Sequence, residues 1–425
     1  MIREMTYTGG TSRSLTKKHW RDALYFFAVS AVLLAVMFTF ISEKTAKVSF
    51  YWAFYFSLIG IIANGRQISR QHLWFTGLLA LLGCSKVAWF YWHYLGQADY
   101  NPFNDYLNAG KRLLIAAVIS YYLFSQLARQ QQLTRRMIEW GLIVAFTGAT
   151  AYGLYQYFST TRRVEFALDR ATISAYGYAM LAAAVLFMLA AKKHAKGQLL
   201  LCLGIFIVAW FVIIQTGTRN MIAAFPFIIF FVGLFQFRHL GWKGAAGIII
   251  AIAVLAAVCY KPMIKPRADI AIAEFNHYGN DRGNDNGSLT SRLAMWNIGT
   301  ACFAANPLGM NMEQRTAWFK EYVKAKHRDA SALNFVSIHL HNELIDSATL
   351  QGIQGAIVMV LFYLAMIVYA LRKNNALLLS VMLAVVISGL TDVVFISREL
   401  TVCVSLLLTL SLLWQSINAA PRKPR

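Results

Sequence analysis

The chain is 425 residues long, 58% hydrophobic and only 14% charged, with a formal net charge of +21 and a mean hydropathy of +0.49. A water-soluble domain carries charge on about a quarter of its residues, so this composition excludes a soluble globular protein and points to a polytopic membrane protein. The five cysteines, Cys84, Cys202, Cys259, Cys302 and Cys403, are scattered and show no metal-ligand spacing, which argues against a disulfide framework or a zinc motif.

Residues 1–22 are polar and basic. Apolar blocks follow at about 23–42, 48–64, 73–95, 113–128, 137–157, 173–191, 199–215, 221–236, 244–260, 352–371, 376–396 and 401–417. A membrane helix needs roughly 20 residues, so the pattern predicts an all-α protein of about 12 transmembrane helices. The first block is too long for a signal-peptide core and has no cleavage site after it, so it reads as a retained helix. Basic residues decide the orientation. With the N-terminus inside, the inner connections hold 20 Lys/Arg against only Glu4 and Asp22, a net charge of about +18, whereas the outer ones total about +4. The positive charge is therefore a topology signal facing anionic lipid, and nucleic-acid binding loses its support. Both termini are expected in the cytoplasm.

The division expected is helices 1–9 over residues 1–260, one large outer loop over 261–351, and helices 10–12 over 352–425. Loops that long are seldom passive. Within this one a helix is predicted from Ser288 or Thr290 to about Ala304, broken by Asn306-Pro307-Leu308-Gly309. A second, at 313–327, sets Trp318, Phe319, Tyr322 and Val323 against Lys320, Lys324 and Lys326. It suits either a membrane surface or packing on the loop's own core.

Four outward features carry chemistry. Arg219 stands in the tight turn Gln215-Thr216-Gly217-Thr218-Arg219-Asn220, placed either to bind phosphate with its planar fork or to snorkel at the interface. Arg292 occupies the first turn of the predicted loop helix, where a cation opposes the helix dipole; this asks for an anionic ligand or a local salt bridge. His341, in Ser337-Ile338-His339-Leu340-His341-Asn342, is suited to general-base work. Two histidines without a clear third ligand make a poor zinc site, so no metal and no cofactor is expected. Asp392 ends the eleventh block, with Arg398 and Glu399 shortly after it; the acid is placed to orient His341, pair with an arginine, or cap a helix. Arg162, Arg163 and Arg170 read as rim charge, with extension of a phosphate surface as the alternative, and Lys86, inside the third block, has no evident partner.

His341-Asn342, nine intervening residues, then Gly352-x-x-Gly355 resembles the signature of the O-antigen ligase superfamily. The Thr-Gly-Thr-Arg turn at Arg219, the Arg292 that precedes Met295-Trp296, and the twelve-span topology extend the resemblance over essentially the whole chain. It implies a GT-C-like, metal-independent, inverting glycosyltransferase with a helical periplasmic loop at the bacterial inner membrane. The donor would be O-antigen on undecaprenyl pyrophosphate and the acceptor lipid A-core, in lipopolysaccharide biosynthesis. His341 would be the base, Arg219 and Arg292 the pyrophosphate ligands, and Asn342, Gly352 and Gly355 supporting residues; the resemblance does not settle Asp392 and Arg398, which are expected as supporting residues from their own position and chemistry. Relatives that polymerise O-antigen or glycosylate proteins are alternatives. A lipid-linked glycan transporter is a more distant one, since it would need charges along a central path.

Overall fold

The computed structural model describes residues 10–64, 72–96, 104–127, 131–160, 162–168, 170–191, 197–237 and 265–419 apart from residue 285, with isolated positions between 246 and 261. Among them are fourteen α-helices and no strand. The helices are α1 (Gly10–Phe38), α2 (Glu43–Asn64), α3 (Leu73–Tyr94), α4 (Asn104–Ser125), α5 (Gln131–Ser159), α6 (Ala171–Ala190), α7 (Gln198–Thr216), α8 (Arg219–Gln236), α9 (Lys265–Asp281), α10 (Ser288–Ala305), α11 (Met312–Lys326), α12 (Glu343–Arg372), α13 (Ala376–Thr391) and α14 (Arg398–Ala419).

Eight helices are long and apolar enough to cross a membrane, and α7 and α13 supply shorter apolar ones. With α4 these account for eleven of the expected blocks; the block at 244–260 lies outside the described residues. Two helices, α6 and α14, are 89% buried along their apolar stretch. A helix apolar on every side belongs inside a bundle, and these two form its axis. α13 packs on α6, α8, α12 and α14, while α1, α2, α4 and α5 surround α14. Gly83 of α3 and Gly110 of α4 let their helices touch, each lacking the Cβ that would meet the other's carbonyl oxygen at 2.9 Å. Small residues allow such contact where lipid offers no hydrophobic drive between helices.

Residues 265–342 form a helical cap over one end of the bundle. Its core is Ala294, Met295, Ile298 and Cys302 of α10, Phe319 of α11, and Val336 and Leu340 beyond. Trp318, Tyr322 and Val323 pack against that core, so α11 takes the second of its two expected roles, packing within the cap. The four described cysteines are free thiols.

The cap is keyed into the bundle at Gly352. There α12 breaks, with φ 71° and ψ −163° at Gly352. The chain at Pro307 to Met310 enters the break, with the Ile353 N–H donating to the Pro307 carbonyl at 2.8 Å and the Met310 N–H to the Leu350 carbonyl at 3.0 Å. A Cβ on Gly352 would lie 2.4 Å from the Leu308 carbonyl carbon. Gly352, expected above only as a supporting residue, thus admits the chain's own backbone into the break. Gly352→Ala combines a glycine-only conformation with a steric clash and should cost about 3 kcal/mol or more, measurable as a lower thermal midpoint in detergent.

Candidate active site

His341 is placed by its neighbours on both sides. Asn342 caps α12, its Oδ1 accepting from the N–H groups of Leu344 and Ile345 at 3.0 and 3.1 Å, while its Nδ2 donates to the Leu390 carbonyl at 3.1 Å. An asparagine cap of this kind stabilises a helix start by about 1 kcal/mol, and here it also ties that start to the end of α13. His341 itself has φ 47°, a left-handed backbone uncommon outside glycine. Its carbonyl accepts from the Trp296 indole of α10 at 3.2 Å.

Asp392 follows the last residue of α13 and is buried. Its Oδ1 accepts from His341 Nδ1 at 3.1 Å and from His339 Nε2 at 3.0 Å. Burial disfavours the carboxylate, but hydrogen bonds from the two imidazoles, and their charge, outweigh it and hold the carboxyl well below the usual range. A carboxylate only accepts, so each imidazole donates. That fixes the His341 tautomer, with Nδ1 protonated and the Nε2 lone pair left for a substrate proton. Of the positions expected for it, Asp392 stands beside His341, and it pairs with no arginine among the described residues.

Arg398 is a correction. It turns away to Asp105 at the start of α4, with Nη2 2.8 Å and Nε 2.9 Å from Oδ1. The chain turns between Asp392 and the first residue of α14, and the carboxylate that Arg398 holds is that of Asp105.

The two other arginines approach the histidine from separate elements. Gly217, at φ 67°, reverses the chain between α7 and α8 and sets Arg219 at the start of α8. Arg163 Nε donates to the Thr216 carbonyl at 2.7 Å and so buttresses this turn. Arg219 Nη1 lies 3.3 Å from Glu274 Oε1, and Glu274 Oε2 accepts the Leu289 N–H at 2.6 Å, in the first turn of α10. Glu274 thus caps the start of α10 while pairing with Arg219, and does not supply the partner expected for Arg292. Arg292 follows in the next turn, half-buried, and forms no hydrogen bond or ion pair with any described residue. It stands four residues, about one helical turn, before Trp296, which holds His341. Beside Arg219, Asn220 Nδ2 donates to the Tyr176 hydroxyl at 2.8 Å and also to Thr391 Oγ1. Tyr176 is within electrostatic reach of both Asp392 and Arg292. Arg219, Arg292, His341 and Asp392 thus stand on neighbouring elements at the capped end of the bundle, with Tyr176 and Trp296 between them.

Beneath it lie two buried ion pairs that hold the segment around His341. Lys86 Nζ, from α3, is 3.4 Å from Glu343 Oε1 and 5.9 Å from the centre of the Tyr106 ring; Glu343 Oε2 accepts the Phe395 N–H at 2.9 Å. Arg315 Nη1 of α11 reaches Asp346 Oδ1 at 2.8 Å, and its Nη2 donates to the Val336 carbonyl at 2.8 Å. The Tyr106 hydroxyl donates to Asp346 Oδ2 at 2.7 Å. Asp346 also accepts the Leu340 N–H at 3.1 Å, between the two histidines. Lys86 thereby gains its partner. Arg315 was missed in the sequence, although it shares a face with Met312 and Phe319 at helical spacing, where a cation among apolar residues signals a buried pair. His339, expected at most as a metal ligand, donates to the same carboxylate as His341 because the left-handed turn at His341 brings both rings to Asp392.

The ligand atoms of His339, His341 and Asp392 lie within 4.8 Å of one another, a group able to hold a cation. The same geometry serves as a hydrogen-bonded trio in which one carboxylate orients two imidazoles.

Comparison with known proteins bears on this constellation. Residues 203–360 match the family described as O-Antigen ligase, a span that includes Arg219, Arg292, His341, Gly352 and Gly355. The chain is also similar to an O-antigen ligase of Escherichia coli (strain K12), at 26% identity over 365 residues, covering 82% of this chain and 83% of the relative.

Proposed function

Because this chain belongs to the O-antigen ligase family, we propose that it transfers finished O-antigen polysaccharide from undecaprenyl pyrophosphate to lipid A-core. The setting is the periplasmic face of the bacterial inner membrane, with both chain termini in the cytoplasm. The observation that carries this reading is the oriented His341: Nδ1 is held by Asp392, which leaves Nε2 as a base in the same neighbourhood as Arg219 and Arg292.

In the reaction, an acceptor hydroxyl attacks the anomeric carbon of the first donor sugar from the face opposite the pyrophosphate. The new carbon–oxygen bond forms as the bond to phosphate breaks, so the configuration inverts. His341 Nε2 takes the hydroxyl proton, and Asp392 stabilises the imidazolium. The leaving pyrophosphate carries away the bonding pair, and Arg292 and Arg219 neutralise its charge, a contribution of several kcal/mol in a water-poor site. Arg219 exchanges Glu274 for phosphate in this step, and its half-exposed side chain is suited to doing so. An apolar groove of about 440 Å³ between α8, α12 and α13, lined by residues such as Phe227, Phe231 and Leu383, supports the placement of the polyprenyl tail. It rises to Ile387, one turn below Thr391. Tail and headgroup would then be held in line with the acceptor.

Deletion followed by gel analysis of lipopolysaccharide tests the assignment. Loss of a ligase leaves bare core together with full-length polymer on its lipid carrier. Core capped by a single repeat would instead identify a polymerase. The reading uses the histidine–aspartate trio without a metal, so chelation of divalent cations should leave transfer by the purified protein unchanged. Activity lost on chelation and restored by zinc would make the trio a metal centre.

A further inference from the structure

We propose, resting on the transfer reaction given above, that Glu274 is an internal competitor for Arg219 whose return to the guanidinium expels the lipid pyrophosphate after each transfer. The Glu274 carboxylate is engaged twice, and unequally. Its Oε2 accepts the Leu289 N–H at 2.6 Å, a short charge-assisted bond in the first turn of α10, where the helix dipole favours an anion. The Glu274 backbone carbonyl also accepts from Thr290 Oγ1 at 3.3 Å, so main chain and side chain together anchor this residue to α10. Towards Arg219 the contact is looser. Oε1 lies 3.3 Å from Nη1, and the two side chains are 18% and 42% exposed; an ion pair so open to water is weak.

An arriving phosphate therefore takes Arg219 from the carboxylate without unseating the carboxylate from Leu289. Glu274 then stays beside the bound phosphate as a like charge. Arg292 has no such rival among the described residues, so the site pairs one open arginine with one that is contested. The chemistry of transfer gives the contest a use. When the bond from the anomeric carbon to the phosphate oxygen breaks, the pyrophosphate keeps the bonding pair and gains a further ionised oxygen. The arginines consequently hold the product more tightly than the donor, and most tightly in a water-poor site. Repulsion from Glu274 grows with the charge it faces, so it acts on the product more than on the donor. Its recapture of Arg219 then clears the site for the next donor.

The test uses farnesyl pyrophosphate, a short-chain stand-in for the released lipid, titrated into the full-length protein in detergent and read as thermal shift and as inhibition of transfer. Glu274→Gln keeps an oxygen for the Leu289 N–H, so the cap on α10 remains while the charge facing Arg219 is removed. The donor KM should fall by about two- to fivefold, the range an exposed ion pair is worth. The farnesyl pyrophosphate dissociation constant should fall by a larger factor, and kcat should drop as release slows. Weaker binding in Glu274→Gln, the mark of a purely structural role, would overturn the proposal. So would wild-type binding and donor KM in Glu274→Gln alongside weakened binding in Arg219→Gln, an outcome that leaves Arg219 as a phosphate ligand with no internal rival. Unchanged binding in Arg219→Gln would remove the phosphate role of Arg219 itself, and the proposal with it.

Discussion

Replacing His341 with alanine is expected to lower glycan transfer by about 10³-fold or more, the upper range for losing a general base, without changing the amount of protein inserted in the membrane. The arrangement explains why no neighbour would substitute for it. His339 is already committed to Asp392 through Nε2 at 3.0 Å, and His341 is the ring whose backbone is fixed by Trp296 and by the Asn342 cap. Arg292→Ala should abolish transfer as well, because its half-buried guanidinium lacks a competing carboxylate. Asp392→Asn keeps an acceptor oxygen but removes the charge that stabilises the imidazolium, and a loss of about 10²-fold is expected. The measurement is core capping in cells and turnover with purified donor and acceptor; wild-type capping in His341→Ala would end the assignment.

The pH dependence has a definite sign. The Asp392 carboxyl is held well below its usual range, so it stays ionised through mild acid. Its contribution to stability is present above the unfolded carboxylate value of about 3.9 and is lost only as pH falls through the lowered folded value. Loss of activity in mild acid would therefore not come from protonation of Asp392, and Asp392→Asn should not abolish that limb of the profile.

The second large effect is on stability. Lys86→Met would leave Glu343 as a buried charge without its cation, and breaking such a pair costs about 3–5 kcal/mol. The double substitution Lys86→Met with Glu343→Gln removes both charges and keeps an oxygen for the Phe395 N–H, so most of that loss should be recovered. Thermal midpoints of the two variants in detergent check this. A double variant no more stable than Lys86→Met would show that the pair contributes more than mutual neutralisation.

The elements that sequence periodicity revealed are those whose physics is local. Apolar blocks longer than a bilayer is thick, the break at Asn306-Pro307, the turn at Gly217 and the cap at Asn342 each declare themselves within a few residues. Arg219, Arg292 and His341 were also legible, because each residue type stood in a context that demanded an explanation. Asp392 was legible as an acid where acids are expensive, but its choice of two imidazoles over an arginine was not. Lys86 and Glu343 are separated by 257 positions, and nothing local to either names the other. Arg398 misled for the converse reason, since it stands near Asp392 along the chain and yet pairs with Asp105.

The break at Gly352 has a mechanical consequence. Residues 343–351 are clamped by Asn342, Lys86 and Arg315, residues 353–372 run on through the apolar bundle, and the inserted chain at Pro307 to Met310 is hydrogen-bonded to both halves. The lower half then cannot lean without pulling on the cap that carries the imidazole. Turnover should accordingly change when the protein is reconstituted in short- or long-chain lipids.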